Sequence, residues 1–410
     1  MKKIFFLIVL SVISSFVLAE GVTNTALTYT DCYNLALANS YTVKIQAEKL
    51  KQANLDRLKA VGGLLPDVTL NHNRYYDYGT AFNDNGWDSS ISATQPIFLG
   101  FSKFFNISQM DRLAVAEEYN LAQAKKVLAE QTAAAYFNLA AAEADFLNTQ
   151  EAVNIMNGRA KELKQREALG KSRLSELYAV EARAAVLMAQ LEQVKNDVLA
   201  AADALSLVLN AENVSIVQPV ENESPGSDVE MSKASLNQPA VKSIEAAIEA
   251  QSSRINAQHS LFLPQVNLTV SKQIGSSPYA SGNYGFVLMA KWPLFDGGAR
   301  VLDTISEYSA EEALKQQRLA LLKSTLYDIK ARIRNYNASV DRVLALKEAY
   351  DKSSKSYKLQ EKDYRYGMAT NIEVLQAMAD LTDIKKSLDR EIIVKEKNRV
   401  LVEVVAGNVK

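Results

Sequence analysis

Little in this sequence interrupts the chain. It has 16 Gly and 8 Pro in 410 residues, too few to punctuate a protein built of short elements. No proline lies between Pro96 and Pro219, or after Pro293, so nothing there stops a helix from running on for tens of residues. Cys32 is the one cysteine, which excludes an internal disulfide; it follows no lipobox-like segment and reads as packing inside the first helix. The two histidines, His72 and His259, are far apart and lack metal-ligand spacing, so no metal or cofactor is expected. Neither sign of charge dominates, the net charge being −1, and this excludes the basic field that nucleic acid needs. Beyond residue 19 no apolar run approaches the length of a membrane-spanning helix, so any membrane-embedded part must be built of strands. No phosphate-binding glycine loop and no His-Glu-x-x-His occurs. No catalytic constellation is found, and an enzyme is not expected.

What is present begins with an export signal. Met1, Lys2 and Lys3 form a positive start, Ile4 to Ile13 an apolar core, and Val17-Leu18-Ala19 a cleavage site, so residues 1–19 read as a signal peptide. The remainder contains a repeat. Leu64-Leu65-Pro66-Asp67-Val68-Thr69-Leu70 returns around Leu263-Pro264-Gln265-Val266-Asn267-Leu268, offset by 198, and Gln95-Pro96-Ile97-Phe98-Leu99-Gly100 returns as Trp292-Pro293-Leu294-Phe295-Asp296-Gly297, offset by 197. Gly170 and Gly367 are likewise 197 apart. A one-residue indel between the two Pro markers accounts for the difference. The expected units are a first repeat, 20–225, and a second, 226–410. Each has a helix, two strands (within 66–97 and 264–294), and a long helical hairpin (about 98–208 and 295–406).

The longest helices, 98–169 and 295–366, would each reach about 105 Å at 1.5 Å per residue. Leu322, Ile329, Tyr336, Val343, Tyr350, Tyr357 and Tyr364 recur every seven residues, with Leu326, Ile333 and Val340 in a second seam. A weaker version runs through Leu139, Phe146, Val153 and Ala160. Such spacing specifies coiled-coil packing. After Gly367 the chain should return antiparallel through Ile372, Leu375, Met378, Leu381 and Leu388. The returning helix near 173–208 and the helix near 42–62 together nearly equal one long helix, which suggests a wall where long helices alternate with stacked pairs.

Strands are expected at 66–76, 87–97, 264–275 and 284–294. In the fourth, Tyr284, Phe286, Leu288, Ala290 and Trp292 share a face, an alternation suited to a lipid-facing barrel strand. A soluble sheet packed on helices has the same pattern. Two hairpins leave open edges, and four strands are fewer than the smallest single-chain barrel uses. Closure therefore calls for two, three or four copies, a choice that strand arithmetic leaves open. The polar connections 77–86 and 276–283 would face outside the cell.

With these features the chain resembles the TolC-like outer membrane efflux protein family over essentially its whole exported length. The resemblance rests on the Leu-Pro-x-Val entry and Pro-x-Phe-x-Gly exit of each strand pair and on two turn segments. Tyr364-Arg365-Tyr366-Gly367-Met368-Ala369-Thr370-Asn371-Ile372-Glu373-Val374-Leu375-Gln376-Ala377 is close to the family pattern, and Glu167-Ala168-Leu169-Gly170-Lys171-Ser172-Arg173-Leu174-Ser175-Glu176-Leu177 is looser. The resemblance implies a mainly α fold with a small membrane β part. It implies a homotrimer with a 12-stranded β-barrel in outer-membrane lipid and a 12-helix periplasmic α-barrel, set in the outer membrane of a Gram-negative bacterium. It also implies an exit duct for a tripartite efflux pump or type I secretion system, docked through a periplasmic adaptor to an inner-membrane pump or ABC exporter.

Glu373 and Glu176, each six residues after its glycine, match the family's acidic constriction, and a carboxylate ring favours cations. Gln376 stands where many members have a second acid. Tyr364 matches a gate tyrosine that bonds across to a neighbouring helix, although seam packing is the simpler role. Gly170, Lys171, Ser172, Arg173 and Gly367, Met368, Ala369, Thr370 would form the hairpin-tip turns and the adaptor-facing surface. Other readings are a periplasmic adaptor with a long hairpin or a coiled-coil fibre; neither needs two hairpins with duplicated strand pairs.

Overall fold

In a computed structural model of the chain, residues 27–74, 87–211, 216, 237–274 and 284–406 are described. The expected signal peptide and the connections 77–86 and 276–283 lie outside them. Among the described residues the order is α1 (Tyr29–Asn39), α2 (Tyr41–Gly62), β1 (Asp67–Arg74), β2 (Trp87–Leu99), α3 (Ser102–Ala168), α4 (Leu174–Leu209), α5 (Pro239–Ser260), β3 (Gln265–Gln273), β4 (Tyr284–Lys291), α6 (Ala299–Arg365) and α7 (Asn371–Ala406).

The two halves share one geometry. Both α3 and α6 have 67 residues and both α4 and α7 have 36, each second-half helix starting 197 residues after its counterpart. The expected strand registers also correspond, since Asp67 faces Thr94 as Gln265 faces Lys291. The extra residue of the first half therefore falls between Arg74 and Trp87, in the hairpin connection, where it disturbs no ladder.

The long helices start four residues later than the sequence suggests. Phe98 and Leu99 complete β2, and the chain then passes through two successive left-handed residues before helix begins: Gly100 and Phe101 in the first half, Gly297 and Gly298 in the second. At about 100 Å, α3 is the spine of the protomer. It packs against α2 and then α4 on one side, and against α5 and then α7 on the other, with α6 beyond α5 and α7. Long helices thus alternate with stacked pairs, as the length arithmetic anticipates. Ion pairs mark the seams: Arg57–Asp111 joins α2 to α3, Arg112–Glu249 joins α3 to α5, and Arg342–Glu391 joins α6 to α7.

A wall one helix thick has little interior. Its main core lies where α1, α3, α4 and α7 meet, around Cys32, Leu128, Ala133, Tyr136, Phe137, Leu139, Leu205, Leu209 and Val404. The alanines of α3 let neighbouring backbones approach closely there. Burial pushes the Cys32 thiol up to about 12, which keeps it unreactive. The seven-residue seam of α6 is buried or half-buried throughout. The returning helix differs from expectation, because Ile372 is exposed and Val374 is buried in its place, with Met378 and Leu388 inside as anticipated. Starting the helix at Asn371 puts Asn371, Val374 and Met378 on the inner stripe at helical spacing.

The strands form one antiparallel sheet in the order β1-β2-β3-β4. Facing residues share a side, so the pairings sort the two faces. One carries Val68, Leu70, Ile91, Ala93, Val266, Leu268, Val270, Phe286, Leu288 and Ala290 with His72, Gln95 and Lys272 among them, and the other Thr69, Asn71, Ser90, Ser92, Thr94, Asn267, Thr269 and Ser271 with Val287 and Met289. Hydroxyls pair along the second face, Thr69 with Ser92 at 2.8 Å and Thr94 with Thr269 at 3.1 Å. Pro96, in a central strand, stands beside the register shift between Pro96 and Phe98, a position where its missing N–H is tolerated.

Candidate functional site

Two hairpin tips stand at the far end from the sheet, and both are built on the same turn. In the first, Lys171 N–H donates to Arg166 C=O and Gly170 N–H to Glu167 C=O, both at 2.8 Å; in the second, Met368 N–H donates to Asp363 C=O at 2.9 Å and Gly367 N–H to Tyr364 C=O at 3.1 Å. This is the paired carbonyl-satisfying end of a helix whose next residue is left-handed. Gly170 and Gly367 have φ of +69° and +74°, and no atom crowds either, so backbone freedom alone requires glycine there. Lys171, Arg173, Met368 and Thr370 are exposed, while Ser172 and Ala369 are half-buried. Leu169, Tyr366 and Ile372 add exposed apolar surface to the tips.

Each of the two acids has a local hydrogen-bond partner in this geometry. Glu373 accepts from Thr370 N–H at 2.6 Å and from the Thr370 hydroxyl at 3.0 Å, while Glu373 N–H donates back to that hydroxyl at 3.4 Å. Thr370-x-x-Glu373 is therefore a capping box for α7. Glu176 has no such reciprocal partner, because Arg173 stands where Thr370 does; it accepts instead from the Ser172 hydroxyl at 2.7 Å. Gln376 donates to Asp380 at 2.9 Å. Glu373, Gln376, Asp380 and Asp383 line an open groove of about 670 Å³ between α6 and α7, with Ser353 and Gln360 opposite. Asp380, one turn beyond Gln376, places a carboxylate beside that amide in the groove.

The Thr370 bonds hold the Glu373 carboxyl below its ordinary range. The stabilisation from a lowered carboxylate is complete above the ordinary pKa and is lost as pH falls through the lowered one. Glu373→Ala should therefore speed amide exchange over residues 371–377 near pH 7, with the difference from wild type narrowing as pH falls below the ordinary carboxylate range. An undiminished difference there would show that the charge adds nothing to the cap.

Tyr364 sits between the hairpins. Its ring lies under two guanidinium groups of α3, Arg159 at 4.3 Å and Arg166 at 5.2 Å from the centroid. Its hydroxyl makes no hydrogen bond among the described residues, and its ring faces carry the contacts. Glu162 bridges both cations, at 2.9 Å to Arg159 and 3.0 Å to Arg166. Arg159 also donates to Asn371 Oδ1 at 3.2 and 3.4 Å. Below them Met156, Leu163, Leu177, Val180 and Met378 form a separate apolar cluster. The sequence did signal the arginines, one heptad apart on α3 at the tip, but charges on a helix are usually solvated.

At the other end Tyr284, Phe286 and Leu288 are exposed on the apolar sheet face. Trp292 is exposed too, but β4 ends at Lys291, so Trp292 lies just past the strand. Its indole N–H donates to Phe262 C=O at 3.1 Å, which ends the period-two pattern one residue early. No helix among the described residues is long and apolar enough to cross a membrane.

Residues 231–388 match the family described as outer membrane efflux protein. The match lies in the second repeat, and the similarity to TolC-like proteins extends over most of the chain. It is similar to the outer membrane protein TolC of Salmonella enteritidis, with 24% identity over 372 residues, 83% of this chain and 72% of that one. Its fold is similar to that of CusC, with TM-score 0.84 and 14% identity over 96% of this chain and 95% of the other. It is also similar to that of the Campylobacter jejuni CmeC outer membrane channel, with TM-score 0.78 and 17% identity over 95% and 90%. The fold is mainly α with a small sheet, and the solved structures it is similar to are outer membrane channels.

Proposed function

We propose that three copies of this chain close into an outer-membrane duct, the exit channel of an efflux pump or type I secretion system. The observation that carries this reading is the shape of the protomer's two open edges. In the sheet, β1 and β4 each have a single ladder partner, leaving backbone groups that must pair elsewhere. In the helical wall, α3 and α6 are equally long, yet α3 buries eighteen residues and α6 four. Val301, Leu302, Ile305, Tyr308, Leu319 and Leu344 remain exposed on α6. On the opposite edge Tyr41, Ile45, Leu55 and Leu58 of α2, with Tyr178, Val186 and Leu199 of α4, are exposed as well. An edge of this kind is completed by the opposite edge of another copy, and three copies give twelve strands and twelve helical columns. The apolar sheet face then meets lipid, and the hydroxyl face lines the passage.

In this reading residues 1–19 are removed on export and the halves 20–225 and 226–410 form the two repeats. The tips are the constriction, with Glu373 and Glu176 facing the passage and Asp380 behind them. The exposed Leu169, Tyr366, Met368 and Ile372, with Lys171, Ser172, Arg173, Ala369 and Thr370, form the adaptor-facing surface. What passes is chosen by the pump.

Planar-bilayer conductance tests the proposal. The purified protein should conduct with a preference for cations, and Glu373→Gln should reduce that preference. Glutamine preserves the capping box while removing the charge, so the readout reports on the ring and not on the cap. An unchanged preference would take Glu373 out of the ring. A protein that is monomeric and water-soluble without detergent, with no conductance, would end the duct reading.

A further inference from the structure

We propose that the outer end of the apolar sheet face binds an anionic, phosphate-bearing lipid headgroup, with Lys272 as its anchor; this rests on the reading of that face as the one that meets lipid. The ladder pairings put Leu70, Val270, Phe286 and Leu288 on one side of the sheet, and they put Lys272, His72 and Arg74 on the same side at the end away from the helices. All three basic residues are exposed. Among the described strand residues no Asp or Glu belongs to that side. The end of the sheet next to the helices is arranged differently. There Asp67 and Lys291 lie on the hydroxyl side, in register with Thr94 and Gln265. Cations on the lipid side therefore occur only where the apolar band stops.

Lys272 carries the argument. A cation on the lipid face is costly at the midplane and close to neutral at the interface, where an anionic lipid surface attracts it. Among the described residues Lys272 has no carboxylate partner; its amine lies 4.9 Å from the centre of the Tyr284 ring and donates to the Tyr284 hydroxyl at 3.2 Å. These contacts fix where the charge sits without neutralising it. They also set it level with an aromatic residue of the kind that marks a membrane–water boundary. His72 stands two strands away, about 10 Å at the usual strand spacing, and one row further out, with Arg74 a row beyond it. The His72 ring is positioned by the Ser89 hydroxyl, 2.7 Å from its Nδ1. Acyl chains laid along Phe286 and Leu288, 71% and 69% exposed, bring a phosphate to the Lys272 ammonium. A zwitterionic headgroup carries its own cation beside the phosphate, so this all-basic edge favours an anionic one.

The test is native mass spectrometry of the assembled protein, released from detergent after incubation with phosphatidylglycerol or with phosphatidylcholine of the same acyl chains. Wild type should retain phosphatidylglycerol several-fold more than phosphatidylcholine. Lys272→Gln should lose that preference, and Lys272→Arg, which keeps the charge, should keep it. Lys291→Gln removes an equal charge from the hydroxyl side and should bind as wild type does. Both lysines are exposed, so neither change threatens the fold. Inorganic phosphate in excess should leave the lipid bound, because the acyl chains contribute to its hold. A wild type with no preference, or a Lys272→Gln variant that keeps it, overturns the proposal and leaves the lipid-facing reading intact. Equal loss in Lys291→Gln overturns it too, by showing an effect of net charge alone, and displacement by inorganic phosphate overturns the assignment to lipid. Retention of neither lipid by the wild type would instead remove the lipid-facing reading beneath it.

Discussion

Gly100→Ala is expected to destabilise the folded protomer itself, while the same change at Gly297, its counterpart in the second half on the open edge, is expected to leave the fold of the protomer intact. Both residues sit at the turn from strand to long helix with positive φ, +62° and +73°. A side chain in that region costs about 1–2 kcal/mol at either position. Their surroundings separate them. A Cβ on Gly100 would press into the carbonyl oxygen of Ser260 and lie 3.0 Å from Leu263 Cβ, whereas nothing stands near Gly297. The obstructing atom is backbone at the end of α5, which cannot rotate aside, so an overpacking cost of about 1–3 kcal/mol adds to the strain. Gly100 is where the first strand pair leaves the sheet against the helix that enters the second pair, and moving Ser260 moves β3. The check is the yield and thermal melting of each variant in detergent. Equal behaviour of the two would mean that the close approach at Gly100 is not a constraint.

Two adjacent residues of β3 should behave oppositely when made arginine. Leu268 faces Gln95 and Leu288, while Thr269 faces Thr94 and Val287 on the reverse side. If the apolar face meets lipid, Leu268→Arg costs about 2–4 kcal/mol per chain near the midplane, and each duct carries the substitution three times. That variant should be lost from the outer-membrane fraction. Thr269→Arg should insert normally and add three cations to the passage, reducing its preference for cations. Insertion of Leu268→Arg together with loss of Thr269→Arg would invert the assignment of the faces.

The strand pairs, the long helices and the turns could be read along the chain because each depends on spacing or on the absence of breakers. The 197-residue offset survives to the residue in the two helices of each long hairpin, and the heptad of Leu322, Ile329, Tyr336 and Val343 marks the packed stripe of α6. Thr370-x-x-Glu373 was also present as a capping signature, and reading it would have given Glu373 a structural partner beside its place in the turn. Ile372 was misassigned to the seam because a run of apolar residues after a turn carries no phase until the first helical residue is known. The grouping of Arg159, Arg166 and Glu162 with Asn371 was not legible, since it depends on helices whose residues lie some 200 positions apart in sequence.

The sequence by itself determined the two-fold plan, the helix lengths, the glycine turns and a sheet too small to close, because these follow from local backbone preference and periodicity. Only the tertiary structure decided which charges leave solvent, which sheet face is hydroxylated, and which glycine cannot bear a methyl group. Those depend on how close distant segments come, and short-range contact between segments far apart in the chain leaves no periodic trace in either one.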